Sequence, residues 1–83
     1  MTNKKTFPEL RGVMAKYGLT NNEMAKVIGN TYQTFGKKLD ARSEFSFSDM
    51  LKIREHFTKK GEELSIETLF FKWKFTIVNS GAN

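Results

Sequence analysis

The single histidine, His56, has no cysteine to share a metal with, because the 83-residue chain contains none. A lone imidazole beside Phe57, without acidic or thiolate partners at ligand spacing, reads as a boundary side chain. Glu62 and Glu63 stand together without a nucleophile and suit the first turn of a helix, where carboxylates complement the dipole. The sequence has no glycine-rich phosphate loop and no serine, histidine and aspartate set. These residue types argue against an enzyme, and neither a metal nor another cofactor is expected. What remains is the chemistry of cations and amides. Residues 1–42 carry eight basic side chains (Lys4, Lys5, Arg11, Lys16, Lys26, Lys37, Lys38, Arg42) against Glu9, Glu23 and Asp40. Residues 43–83 hold six basic and six acidic side chains, so the net charge of +5 lies in the first half. A basic half joined to a neutral half suits a polyanionic partner.

Something must hold those side chains in place. A chain this short makes one domain and buries only about 60% of its unfolded surface, so tight packing or oligomerisation is required. No apolar run resembles a signal peptide or a membrane span, which predicts a soluble, cytoplasmic protein. Pro8 and Glu9 open a first helix, Leu10, Val13, Met14 and Tyr17 give it one apolar stripe, and Gly18 ends it. Thr20-Asn21-Asn22-Glu23 is a capping box, with Leu19 and Met24 placed as a hydrophobic staple. The second helix stops at Gly29, and Asn30 and Thr31 cap a third that runs to Leu39. A polar loop, Asp40 to Phe45, leads to a fourth helix capped by Ser46 or Ser48, with a stripe of Phe47, Met50, Leu51, Ile53 and Phe57. Ser65 caps a short fifth helix, where Leu64 can staple to Leu69. Phe71, Trp73, Phe75 and Ile77 then alternate with Lys72, Lys74, Thr76 and Val78, which is strand patterning. Residues 79–83 read as a disordered tail. The expected core is Leu10, Val13, Met14, Met24, Ala25, Ile28, Phe35, Leu39, Leu51, Ile53, Phe57 and Leu69.

Residues 20–39 have the layout of a helix-turn-helix, two short helices joined by a glycine-containing turn. Ala25 is small where the helices must cross, Gly29 permits a positive φ, and Ile28 and Phe35 point to a shared core. The run from Leu19 to Thr31, followed by Thr34-Phe35-Gly36-Lys37-Lys38-Leu39, resembles the phage repressor and Cro-type (XRE-like) family. Phe45-Ser46-Phe47 and Leu69-Phe70-Phe71 are similar to a phage-encoded branch of it, and the resemblance covers about residues 7–71. Two positions depart from the pattern. Asn30 replaces the usual aliphatic residue of the turn. Gly36 interrupts the third helix at about 1 kcal/mol relative to alanine, either for close approach to DNA or as drift on an exposed face.

The resemblance implies a mainly α, five-helix lambda-repressor-like domain over residues 1–70, with a C-terminal β-strand over 71–78. Its third helix would enter the major groove of double-stranded DNA, with Thr31, Tyr32, Gln33 and Lys37 facing the bases. Gln33 can pair with adenine, Lys37 can reach guanine acceptors, and Tyr32 can pack on a thymine methyl or bond a phosphate. Asn21, Asn22, Lys38 and Arg42 would contact phosphates. Members of the family pair C-terminal strands across a two-fold axis, which implies a homodimer with a seam of Phe71, Trp73, Phe75 and Ile77. Packing of that segment on its own helices is the other arrangement the residues allow. The function implied is a Cro-like transcriptional regulator of a phage genetic switch in the bacterial host, binding a two-fold operator. A lysogeny repressor would continue into a further domain, which favours Cro. The alternative is a modulator or antirepressor of the same fold that docks on a phage repressor. Neither a membrane nor a small-molecule substrate is expected.

Overall fold

The computed structural model describes residues 6–73, and among them the chain is mainly helical, with no strand. In chain order the helices are α1 (Pro8–Lys16), α2 (Asn21–Ile28), α3 (Tyr32–Leu39), α4 (Phe47–Lys59) and α5 (Glu67–Phe71). The first four are α-helices and α5 is wound as a π-helix, with the Lys72 N–H closing on the Glu67 carbonyl. None of the described helices is long and apolar enough to cross a membrane.

The helix starts follow local chemistry. Thr20 accepts from the Glu23 N–H while the Glu23 carboxylate accepts from the Thr20 N–H, closing the expected capping box. Thr31 accepts from the Thr34 N–H at 3.1 Å. Ser46, rather than Ser48, caps α4, and Asp49 completes a second capping box there. Ser65 accepts from the Thr68 N–H at 3.0 Å.

The ends are set by left-handed residues. Gly29 closes α2 with φ 69°, whereas at the end of α3 the same role falls to Ala41, with φ 64°. Around Ala41 the Arg42 N–H donates to the Lys37 carbonyl at 2.9 Å and the Ala41 N–H to Lys38 at 3.0 Å, a Schellman closure. A Cβ is unfavourable there. Ala41→Gly is therefore expected to raise stability by about 0.5–1 kcal/mol, read as a higher denaturant midpoint at unchanged slope.

The core gathers Leu10, Val13 and Met14 of α1, Met24, Ala25 and Ile28 of α2, Phe35 and Leu39 of α3, Ile53 and Phe57 of α4, and Leu69 and Phe70 of α5. Leu51 does not join them. It is 38% exposed, and Phe47 of the same expected stripe is 66% exposed. The buried side of α4 is Asp49, Ile53 and Phe57, one every four residues. Leu51 stands two residues from both Asp49 and Ile53, and at 3.6 residues per turn that turns it to the far side.

Two loop residues complete the core. Phe7 precedes α1 with φ 51°, a strained backbone for a bulky side chain. Its ring compensates by meeting Phe45 at 5.3 Å, Phe70 at 6.1 Å and Trp73 at 5.3 Å between centroids. Phe45, at the end of the α3–α4 loop, also meets Phe35 at 5.9 Å and Phe70 at 5.1 Å.

At residues 71–73 the chain departs from the expected strand. Phe71, Lys72 and Trp73 are helical. Phe70 and Trp73, three apart, share one face and both rest on Phe7, so helical spacing prevails over the two-residue alternation. Phe71 and Trp73 are half-buried against their own core and do not form an open seam. Phe75 and Ile77, with the rest of the expected strand and the tail at 79–83, lie outside the described residues. Glu62 also differs from expectation. Rather than opening α5 it lies in the preceding loop, where it accepts from Tyr17 Oη at 2.7 Å and pairs with Lys16. Those two hydrogen bonds, from Lys16 and from Tyr17, hold its carboxyl below the ordinary value.

Candidate nucleic-acid interface

The side chains of α3 divide cleanly. Phe35 and Leu39 are buried, while Tyr32, Gln33 and Lys37 face solvent, Tyr32 at 56% exposure. Gln33 and Lys37 are four apart and share a strip of surface, with Tyr32 beside them on the first turn. An amide, an ammonium and a phenol are thus presented together from one short helix. Thr31 lies at the same end, but its hydroxyl is engaged. It accepts from the Thr34 N–H and donates to Thr34 Oγ1 at 2.9 Å. Asn30, the departure in the turn, accepts from the Thr31 N–H at 3.0 Å, so it extends the cap instead of packing the turn.

Helix α3 is anchored at its other end by two neighbours. Arg11 of α1 donates through Nη2 to the Leu39 carbonyl at 3.2 Å and to Asp40 Oδ1 at 3.1 Å, and through Nε to the Thr6 carbonyl at 2.6 Å. Thr6 Oγ1 donates to the same Leu39 carbonyl. A guanidinium on the last carbonyl of a helix satisfies an orphan acceptor and complements the dipole. From the other side, Lys38 Nζ meets Asp49 Oδ2 at 2.5 Å, tying α3 to the first turn of α4. Sequence reasoning missed both anchors. The Ser46-x-x-Asp49 box was a visible signal for Asp49, whereas its partner Lys38 comes from another element.

The residues assigned to phosphates therefore separate. Lys38 is nearly enclosed and paired with Asp49. Arg42 and Asn22 are exposed, and Asn21 is half-buried. Asn21 borders the α3 surface, because an ideal Cβ at Gly36 would lie 3.8 Å from its Nδ2. That distance is ordinary contact, so packing within the chain does not require a glycine at 36. Exposed Lys26 of α2 adds a further cation to this half of the molecule.

Elsewhere, His56 is half-buried beside Phe57, at 5.7 Å between centroids. Burial, then Lys60 and Lys59, push its pKa down, favouring the uncharged imidazole. Among the described residues no group of three or more histidine, cysteine, aspartate or glutamate side chains could hold a metal. In comparisons with known proteins, the chain matches no family model, no curated protein and no solved structure.

Proposed function

We propose that the chain is a sequence-specific DNA-binding transcriptional regulator in which α2 and α3 act as a helix-turn-helix and α3 lies in the major groove. The observation that carries this reading is the division of α3. Its inner side chains are buried and its last turn is clamped by Arg11 and Lys38, while Tyr32, Gln33 and Lys37 are exposed, as are Asn22 of α2 and Arg42 just after α3. A reading helix needs such support, since base-edge contacts demand side chains held on a rigid element. Net charge in the same half supplies the sequence-independent attraction to phosphates. Lys38 is reassigned from phosphate contact to anchoring, and Thr31 from base contact to capping. The resemblance to Cro-type regulators agrees with this arrangement and brings the phage-switch setting with it. The two-fold seam does not enter the proposal, because Phe71 and Trp73 face their own core.

The test is duplex binding by fluorescence anisotropy, first to random DNA at low salt and then to sequences selected from a random pool. Affinity is expected to fall steeply with salt. Gln33→Ala should relax preference at about one base pair, a loss of about 1–3 kcal/mol in discrimination. Arg42→Ala should weaken every sequence alike and lower the salt slope by about one. No binding to any duplex at low salt would overturn the proposal and leave the repressor-docking alternative.

A further inference from the structure

The outer side of α4 is out of keeping with the rest of the molecule. Phe47 and Leu51 are exposed one helical turn apart. Met50, which lies between them in sequence, is half-buried and lines a half-open hollow of about 320 Å³. The rings of Phe7, Phe45, Phe70 and Phe71 make its walls, and the exposed Glu44 lies at its edge. Met50 thus joins the mostly apolar hollow to the exposed Phe47 and Leu51 on α4, a cluster of the kind that marks an interaction site.

We propose that this surface is the docking site of the chain's own residues 74–78, folded back in cis. The two segments beyond the described residues differ in what they could bring. Residues 1–5 carry Lys4 and Lys5 and no ring, whereas residues 74–78 carry Phe75, Ile77 and Val78. The segment also starts in the right place. Phe70 and Phe71 are walls of the hollow, and the Trp73 ring rests 5.3 Å from Phe7, another wall. Five residues reach at most about 17 Å, the length of about three turns of α-helix. Lys74 brings a cation to the rim that holds Glu44. Tethering favours this occupant over a second copy, because a short linker imposes an effective concentration in the millimolar range. Docking in cis withdraws residues 74–78 from the two-fold strand expected from the sequence. It uses none of the α3 side chains assigned to DNA, and its test contains no DNA.

Because the protein has no cysteine, a cross-link can be placed without background. The full chain carrying Leu51→Cys with Ile77→Cys is oxidised at low micromolar concentration, beside a control carrying Leu51→Cys with Thr2→Cys. The expected result is a disulfide within one chain, seen as a faster-migrating, thiol-free monomer that forms at least tenfold faster than in the control. A second measurement leaves α4 intact: Phe75→Ser should increase binding of a hydrophobic dye several-fold over the unaltered protein. Cross-links chiefly between two chains would replace the cis segment by a second copy and overturn the proposal. Rates equal to the control, or unchanged dye binding, would overturn docking itself.

Discussion

Asp49→Ala is expected to cost about 3–5 kcal/mol, the range for stripping one partner from a buried ion pair. The carboxylate is buried, and it accepts from Lys38 Nζ at 2.5 Å and from the Ser46 N–H at 3.0 Å. Its removal leaves an enclosed ammonium without a counter-charge and opens the capping box of α4. Asp49→Asn should fall between, since an amide can still accept from Ser46. The dependence on pH has a definite sign. Burial raises the Asp49 pKa, but hydrogen bonds from Lys38 and Ser46 outweigh it, and the net shift is below the ordinary 3.8. A depressed carboxyl contributes stability that is fully present above the unfolded value and lost as pH falls through the folded one. Denaturant midpoints measured downward from pH 5 should therefore fall less steeply for Asp49→Asn than for the unaltered protein. Equal slopes would remove Asp49 as the source. Lys38→Ala belongs to the same experiment, and it should change the midpoint far more than it changes affinity for a duplex.

Phe45→Ala is expected to be as damaging, about 3–5 kcal/mol, although the residue belongs to no helix. Its ring is in contact with Phe7, Phe35 and Phe70 and so joins the segment before α1 to α3 and α5. Truncation would leave a cavity among three elements that cannot close over it together, which is the condition for the upper part of the range. A chain of this length has about 0.05–0.15 kcal/mol of stability per residue, about 4–12 kcal/mol in total. Much of that would be gone, and thermal unfolding should move down by well over 10 °C. Phe45→Leu, which keeps most of the volume, should lose less than half as much. A loss below 1 kcal/mol for the alanine variant would mean that the ring cluster is not a structural centre.

The elements that were legible in the sequence are those whose causes lie within a few residues. The Thr20–Glu23 box, the stop at Gly29 and the cap at Thr31 are local hydrogen-bonding and backbone effects. Phe35 and Leu39 also identified the inner side of α3, which left Tyr32, Gln33 and Lys37 as its outer side. Leu51 was misplaced because the apolar residues of α4 lie on two sides, and periodicity alone does not say which side meets the core. Phe7 and Phe45 were left out of the expected core because loop residues have no period. Lys38 was assigned to a phosphate, since its partner Asp49 lies eleven residues on in a different helix. At 71–73 the alternation of Phe71 and Trp73 competed with the three-residue spacing of Phe70 and Trp73. Only the presence of the Phe7 ring decides between them, and it comes from the opposite end of the described chain.

That ring has a consequence for the order of events during synthesis. Helices α1 to α4 can form as the polypeptide emerges, because their caps and turns are local. The cluster around Phe7 cannot close until Phe70 and Trp73 have been made, more than sixty residues later. At translation rates of about 5–20 residues per second, Phe7 is made roughly 3–13 s before the partners that cover it. The nascent chain is most exposed to aggregation or to chaperone capture in that interval, and a ribosome stalled before Trp73 would hold it there.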